Sequence, residues 1–154
     1  MTGLQTRRRA DNRTPHIVFL GLGSNLGNRQ AVLLHACEEI EKLIGPIVSQ
    51  SAFFASKPWG FQSDHDFLNS VVCCHTHLLP REVLWRTQQI ERMLGRRQKS
   101  VGGVYHDRPI DIDILLYDDW HVNEPDLQIP HPLMLQRDFV MCPLLEVLQK
   151  NGGM

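Results

Sequence analysis

The sequence predicts a single α+β domain whose strands and helices follow one another in the order β-α-β-β-α-β. With 154 residues, the chain is long enough for one domain with a sizeable core. Two amphipathic helical patterns alternate with short runs of apolar or β-branched residues. Hydrophobic residues make up 42% of the chain and charged residues 21%, a globular composition that excludes disordered, collagen-like and coiled-coil proteins.

The first half of the chain predicts a strand, a helix and two further strands. Residues 16–21 are an apolar run that ends in glycine, as a short buried strand does. Asn28 is expected to cap a helix whose apolar residues recur at helical spacing until Gly45 ends it. Residues 47–56 and 67–77 are rich in β-branched and aromatic residues, so they predict a pair of strands.

The second half predicts another helix and another strand. Pro80 stands at the start of an amphipathic segment that Gly95 closes, and residues 95–109 form a basic loop with glycines. Residues 110–117 predict a strand that alternates strictly at first. Its apolar face would carry Ile110, Ile112, Ile114 and Leu116, and its other face Asp111 and Asp113. The whole order is the split βαβ pattern of ferredoxin-like folds, with residues 118–150 as a C-terminal extension.

The termini, the net charge and the cysteines indicate a protein that binds neither nucleic acid nor membranes. Residues 1–15 are expected to be a disordered polar tail before a single domain at 16–154. No apolar stretch approaches the roughly 20 residues that cross a bilayer. A formal net charge of -1 supplies no general attraction to nucleic acid or to anionic membranes. Four cysteines without regular spacing predict reduced thiols in a cytoplasmic protein. We also expect the protein to be a monomer.

Two motifs have alternative interpretations. Residues 21–27, Gly-Leu-Gly-Ser-Asn-Leu-Gly, make a weak nucleotide signature, because the third glycine falls one place late and no lysine follows. The simpler interpretation is a tight strand-to-helix turn whose glycines adopt positive φ and whose backbone could approach a ligand closely. Cys73, Cys74, His75 and His77 suggest a zinc or redox site, but no second Cys/His pair lies at zinc-ligand spacing.

Asp111 and Asp113 form the most informative pair. The period of a strand places both carboxylates on one face, with Cα atoms roughly 6.5–7 Å apart. Charges about 5 Å apart repel by on the order of 3 kcal/mol, which a cation or water must offset. Two hard oxygen ligands suit Mg²⁺, which takes its other ligands from water and phosphate. The cations of the preceding loop, including Arg96 and Arg108, could converge on the same polyphosphate.

A different class of protein with this fold is a non-catalytic module that binds RNA or a small ligand. RNA-binding versions present aromatic side chains on their central strands. Here the strand at 110–117 presents two acids instead, which repel phosphate unless a metal ion intervenes.

Taken together, these motifs resemble those of the 6-hydroxymethyl-7,8-dihydropterin pyrophosphokinases (HPPK) of folate biosynthesis. The resemblance covers residues 16–148. Its most specific block is Arg-Pro-Ile-Asp-Ile-Asp-Ile-Leu at 108–115, followed by Pro-His-Pro at 130–132 and Arg-Asp-Phe at 137–139. Also similar are the glycine motif, Asp-Phe-Leu-Asn at 66–69 and the segment at 91–96.

The resemblance implies a ferredoxin-like fold and an enzyme that transfers pyrophosphate from ATP to the hydroxymethyl group of a reduced pterin, releasing AMP. It implies that Asp111 and Asp113 hold two Mg²⁺ ions and that Arg96 and Arg108 neutralise phosphate charge. Residues implied in the ATP site are Gln88, Glu91, Arg97, Ile114, His131 and Arg137. Phe67 and Phe139 would sandwich the pterin, Asn69 would hydrogen-bond its edge, and its rim would consist of Ser56, Lys57, Pro58 and Trp59.

Overall fold

The computed structural model describes residues 14–95 and 107–150. The predicted tail therefore lies outside the described residues up to position 13, as does most of the basic loop. The described strands are β1 (His16–Ser24), β2 (Ile47–Gln50), β3 (Phe54–Ser56), β4 (Phe67–Thr76), β5 (Asp111–Tyr117), β6 (Val122–Glu124) and β7 (Leu127–Ile129). The described helices are α1 (Arg29–Leu43), α2 (Pro80–Met93), a 3-10 turn (Met134–Gln136) and α3 (Asp138–Lys150).

The strands form an antiparallel sheet with β1 near its centre. The order across the sheet is β2-β4-β1-β5, and β3 also pairs with β4, while β6 and β7 form a separate hairpin. In this register Gly23 of β1 lies between Asn69 of β4 and Asp111 of β5, and Gly21 lies opposite Asp113. The sheet therefore brings the two acids of β5 beside two residues that have no side chain.

Helices cover both faces of the sheet. Buried residues of α1 and α2 pack with Leu20 and Ile112 on one face. On the other face, Val140, Leu144 and Val147 of α3 pack with residues of β1, β4 and β5. The C-terminal extension thus supplies a second, smaller core. None of the three described helices is long and apolar enough to pass through a membrane.

The predicted limits of α1 and α2 have clear local causes. The side chain of Asn28 accepts a hydrogen bond from the N–H of Ala31 at 3.1 Å, as a helix N-cap does. Pro80 occupies the first turn of α2, where its missing N–H leaves no helical hydrogen bond unmade. The carboxylate of Glu82 accepts from the N–H of Leu79 at 2.8 Å and so completes the start of that helix.

The predicted strand at residues 47–56 is wrong in one respect, because the chain leaves the sheet between β2 and β3. The N–H of Ser51 still donates to the carbonyl oxygen of Val71 at 2.9 Å. In return, however, the N–H of Val71 donates to the hydroxyl of Ser51, also at 2.9 Å. A side-chain oxygen takes the place of a backbone acceptor, which interrupts the regular ladder.

The predicted alternation of β5 holds for its first half and fails at Leu116. Two successive residues of β1 pair with Ile114 and Leu116, so Leu115 is an extra residue in the strand. This bulge reverses the faces that follow it. Leu115 and Leu116 pack in the core under α3, and Tyr117 returns to the core of α1 and α2.

We expect Gly45→Ala to reduce the free energy of unfolding by roughly 1–3 kcal/mol. A Cβ atom at Gly45 would lie 1.8 Å from the carbonyl oxygen of His75, which is backbone and cannot rotate away. Urea unfolding measures the change, with Gln30→Ala on the exposed side of α1 as the control. A loss no larger than that of the control would contradict this packing.

Candidate active site

A cavity opens over the C-terminal half of β1, and glycine forms its floor. Gly21 and Gly23 belong to β1 and are not turn residues, so the turn interpretation of the motif is wrong for both. Within that motif positive φ occurs at Gly27 alone, where φ is 71°. The other residues around the cavity are Leu22, Ser56, Lys57, Trp59, Phe67, Asn69, Ser70, Val71, Arg108, Asp111, Asp113, Leu115, Arg137, Phe139 and Val140.

Asp111 and Asp113 lie at one side of this cavity, on the same face of β5. Both are partly buried, and the side chain of Asp111 is 19% exposed, with Oδ2 3.9 Å from Nε of Arg108. Ile112, between them, points into the core under α1 and α2. The two carboxylates are therefore held together over the floor while the opposite face of the strand is anchored by apolar packing.

Glu91 anchors the same strand from its outer edge. Glu91 is 3% exposed, and its carboxylate accepts a hydrogen bond from the N–H of Ile112 at 2.8 Å. Because β5 is an edge strand of this sheet, some of its N–H groups need partners outside the ladder. The sequence places Glu91 on the same helix face as Gln88 but contains no signal for this strand contact.

Aromatic rings line the opposite side of the cavity, and two guanidinium groups stack on them. The Cζ atom of Arg108 lies 4.9 Å from the ring centroid of Phe67. Arg137 lies 4.3 Å from the centroid of Trp59 and 5.6 Å from that of Phe139. The two guanidinium groups therefore lie over ring faces on which a flat ligand would otherwise stack.

Asn69 has a defined orientation at the floor of the cavity. Its Nδ2 donates to the carbonyl oxygen of Phe54 and to the hydroxyl of Ser56, both at 2.8 Å. With the amide nitrogen held on that side, Oδ1 faces β1 and lies 3.1 Å from the position that a Cβ atom of Gly23 would occupy. Asn69 therefore presents a hydrogen-bond acceptor at the cavity.

The sequence resemblance predicts a pterin at this cavity, and we expect Gly23→Ala to weaken its binding roughly tenfold, equivalent to about 1.4 kcal/mol. The added methyl group would press on Oδ1 of Asn69. Gly21→Ala is the matched control, because its Cβ would meet the flexible end of Leu115 at 3.4 Å. Calorimetric titration with the pterin compares the two variants. Equal losses of affinity in the two variants would contradict a specific contact between the pterin site and Asn69, and would indicate that any side chain on the cavity floor weakens binding.

Two segments meet just before Phe67 and Arg108, two residues that line the cavity. Nδ1 of His65, in the loop between β3 and β4, lies 3.0 Å from Oδ2 of Asp107, which precedes β5. Burial alone raises the pKa of Asp107, but hydrogen bonds from His65, Ser63 and Asn25 outweigh it and hold the pKa below its usual value. The carboxylate is therefore charged at neutral pH, and the link between the segments is lost only as acid protonates it.

Most of the residues predicted for substrate binding meet at this one cavity. Of the predicted pterin residues, Ser56, Lys57, Trp59, Phe67, Asn69 and Phe139 line it, whereas Pro58 lines an adjoining open groove with Phe61 and Gln62. Of the predicted catalytic residues, Arg108, Asp111 and Asp113 line it.

The predicted ATP residues are more dispersed. Arg137 lines the cavity, but Gln88, Glu91, Ile114 and His131 do not. Ile114 is buried in the core of α1 and α2. The N–H of His131 donates to the carbonyl oxygen of Leu115 at 3.0 Å, which ties this residue to β5. Arg96 and Arg97 lie outside the described residues.

The cysteines lie apart from this site. Cys73 and Cys74 are buried on opposite faces of β4, in the two different cores. Burial raises the pKa of Cys74 to about 12, so its reactive thiolate is scarce at neutral pH. Across residues 14–95 and 107–150, no group of three or more His, Cys, Asp or Glu side chains is placed to hold a metal ion.

Comparison with known proteins relates this chain to an enzyme family. Residues 19–149 match the family model described as 7,8-dihydro-6-hydroxymethylpterin-pyrophosphokinase (HPPK). A protein of Porphyromonas gingivalis named 2-amino-4-hydroxy-6-hydroxymethyldihydropteridine pyrophosphokinase is 54% identical over 132 residues, which are 85% of this chain and 90% of that protein. A protein of the same name from Aquifex aeolicus is 42% identical over 130 residues, 84% of this chain and 79% of that protein.

The fold also has a counterpart among solved structures. A crystal structure described as HPPK-DHPS in complex with substrates aligns with a TM-score of 0.70 over 88% of this chain, at 13% identity. The alignment covers 40% of that longer chain, so the present chain corresponds to one part of it. At so low an identity the match establishes a shared fold.

Proposed function

Because this chain belongs to the HPPK family, whose members are pyrophosphokinases of folate biosynthesis, we propose that the cavity over β1 is where it carries out this reaction. In this reaction pyrophosphate passes from ATP to the hydroxymethyl group of 6-hydroxymethyl-7,8-dihydropterin, and AMP is released. The observation that carries the proposal is the convergence, at one cavity, of two acids, two arginines and three aromatic rings. The acids and arginines suit a metal-bound triphosphate, and the rings suit a flat heterocycle.

The acid pair fits Mg²⁺. Asp111 and Asp113 supply hard anionic oxygens from one face of a strand, and both open on the cavity. Two protein ligands leave coordination positions for phosphate oxygens and water, as Mg²⁺ sites usually do. When bound, two Mg²⁺ ions would neutralise charge on the triphosphate and on the AMP leaving group. Asp111 and Asp113 would hold them at the end of the cavity opposite the rings.

The pterin would lie between the rings of Phe67 and Phe139. A flat heterocycle between two phenyl faces gains apolar burial and favourable stacking geometry. Oδ1 of Asn69 would accept a hydrogen bond from its edge, because the amide nitrogen is already held by Phe54 and Ser56. Lys57, Pro58 and Trp59 would form the rim.

The arginines that cover the rings would exchange partners when substrates bind. Arg108 and Arg137 stack on the aromatic faces that the pterin needs. Phosphate oxygens offer a guanidinium a charged, bidentate partner that a ring cannot match. We propose that both side chains turn from the rings to the triphosphate, joined there by Arg96 and Arg97 from the preceding loop.

The rest of the ATP would lie along β5. Glu91 bonds to Ile112, and His131 bonds to Leu115, so both residues flank the strand that carries the acids. We propose that Gln88, Glu91, Ile114 and His131 form this part of the site. Glu91 has a second role there, because it fixes the backbone between the two acids.

The chemistry requires alignment and charge stabilisation more than covalent help from the protein. The hydroxymethyl oxygen forms a bond to the β-phosphorus of ATP, and the bond from that phosphorus to the oxygen bridging to the α-phosphorus breaks. AMP keeps that oxygen and leaves. A carboxylate of Asp111 or Asp113 would accept a hydrogen bond from the hydroxyl and so orient it, and the hydroxyl proton would pass to solvent water as the new bond forms. Arg108 and Arg137 would neutralise the charge that accumulates on the phosphate oxygens.

We further propose that residues 16–154 form one ferredoxin-like domain that acts as a monomer in the cytoplasm. The sheet order β2-β4-β1-β5, with α1 and α2 on one face, supports the ferredoxin-like arrangement. The three aromatic rings, both acids and both described arginines of the cavity come from a single chain.

The nucleotide product tests the proposed reaction. The protein is incubated with Mg²⁺, ATP and the reduced pterin alcohol, and the products are separated by ion-exchange chromatography. We expect AMP and a pterin carrying two phosphates in equal amounts, with no AMP when the pterin is omitted. Formation of ADP would indicate transfer of one phosphate, and AMP formed without the pterin would indicate simple hydrolysis. Either result would contradict the proposal.

A further inference from the structure

Asn25 lies directly after β1 and holds the segment that leads into β5. Its N–H donates to the carbonyl oxygen of Arg108 at 3.1 Å, and its Oδ1 accepts from the N–H of Arg108 at 2.7 Å. Its Nδ2 donates to Oδ1 of Asp107 at 2.7 Å and to the carbonyl oxygen of His65 at 3.1 Å. Asn25 is 2% exposed, so these hydrogen bonds are shielded from water.

The contacts with Asn25 fix the backbone of Arg108 on both sides of its Cα atom. Asn25 donates to the carbonyl oxygen of Arg108 and accepts from its N–H, so both backbone polar groups of Arg108 have Asn25 as a partner. Neither residue belongs to a strand of the sheet. The guanidinium of Arg108 starts from this backbone and reaches the ring of Phe67 and the carboxylate of Asp111. A shift of the backbone would therefore move the charged group relative to both.

We propose that Asn25 is a positioning residue that places Arg108 for the reaction without contacting the substrates itself. The inference rests on the proposed role of Arg108 in neutralising phosphate charge.

The residue type suits this role. An asparagine side chain offers an acceptor to one N–H and donors to two oxygens. An aspartate at this position would have an oxygen in place of Nδ2. That oxygen could not donate to Oδ1 of Asp107 or to the carbonyl oxygen of His65.

The same residue also joins the two sides of the site. His65 belongs to the loop that carries the predicted pterin rim, and Asp107 belongs to the segment that carries Arg108. Loss of the Asn25 side chain would release Arg108 and loosen its connection to this rim. Errors of about 1 Å in the placement of reacting groups can lower rates by as much as a hundredfold.

A double-mutant cycle tests the inference. Rates of AMP formation are measured for the unmodified protein, Asn25→Ala, Arg108→Ala and the double variant. We expect Asn25→Ala alone to lower kcat about tenfold, with a smaller change in KM for ATP. When Arg108 is already alanine, we expect the same substitution at Asn25 to lower kcat almost no further. Fully additive losses in kcat would overturn the inference and leave the role of Arg108 intact. Unchanged kcat in Arg108→Ala would instead overturn the proposed role of that arginine, and with it the inference.

Two further variants separate positioning from stability. Asn25→Leu keeps the size of the side chain but removes the acceptor for the N–H of Arg108, so it replaces the alanine variant in the cycle if that variant does not fold, with the same non-additive result expected. His65→Ala removes the exposed partner of Asp107 but leaves both contacts between Asn25 and Arg108. We expect its kcat to stay within about twofold of normal. A tenfold loss there would assign the positioning to the pair of His65 and Asp107, and would overturn the inference.

Discussion

Asp111→Asn and Asp113→Asn are each expected to lower kcat by at least about a thousandfold while the protein stays folded. Each substitution removes one anionic ligand for Mg²⁺ and leaves a neutral amide of the same shape. A thousandfold loss corresponds to about 4 kcal/mol of transition-state stabilisation, within the several kcal/mol that a metal ion contributes to such reactions. The fold should persist, because the apolar face of β5 and the bond from Ile112 to Glu91 remain.

Asp119→Asn is the matched control for this prediction. Asp119 lies just beyond β5, is exposed and does not line the cavity. Circular dichroism confirms that each variant is folded, and the rate of AMP formation gives kcat. Full activity in both Asp111→Asn and Asp113→Asn would refute the metal-binding role of the pair.

Phe139→Ala is expected to weaken pterin binding about a hundredfold, equivalent to about 2.7 kcal/mol, with little change in ATP binding. The ring lines the cavity beside Arg137 and belongs only in part to the core under α3. Its removal would deprive the heterocycle of one of its two stacking faces.

The test compares two ligands on one variant. Calorimetric titrations with the pterin and with a non-hydrolysable ATP analogue are run on Phe139→Ala and on Leu145→Ala, an exposed change on the same helix. Equal losses for both ligands in Phe139→Ala would indicate that the ring supports packing of α3 and does not bind the pterin.

The two acids of the site were predictable because strand geometry alone relates them. Asp111 and Asp113 are two residues apart, and the period of a strand places such residues on one face whatever the rest of the chain does. The same reasoning failed at Leu116. The bulge at Leu115 depends on pairing with β1, and the local pattern of side chains does not encode that pairing.

The role of the glycine motif could not be deduced from its spacing. Gly21 and Gly23 suit a turn as well as a strand, and the choice depends on the neighbours that β1 acquires in the sheet. Only the register with β4 and β5 shows that both glycines form a floor beside Asp111 and Asp113.

The anchoring contacts of Glu91 and Asn25 were also beyond prediction from sequence. Each contact joins a side chain to the backbone of a residue distant in the chain. The N–H of Ile112 is 21 residues from Glu91, and that of Arg108 is 83 residues from Asn25. Backbone groups are alike in every residue, so no pattern of side chains identifies such a partner.

The most direct test of the proposed site is a crystal structure with Mn²⁺, α,β-methylene ATP and the pterin alcohol. The methylene group replaces the oxygen whose bond must break, so the substrates stay intact, and the anomalous signal of manganese locates the metal. We expect manganese bound to the carboxylates of Asp111 and Asp113, with the hydroxymethyl group of a pterin between Phe67 and Phe139 directed at the β-phosphorus. Manganese and triphosphate bound elsewhere, with neither carboxylate coordinated, would contradict the proposed site.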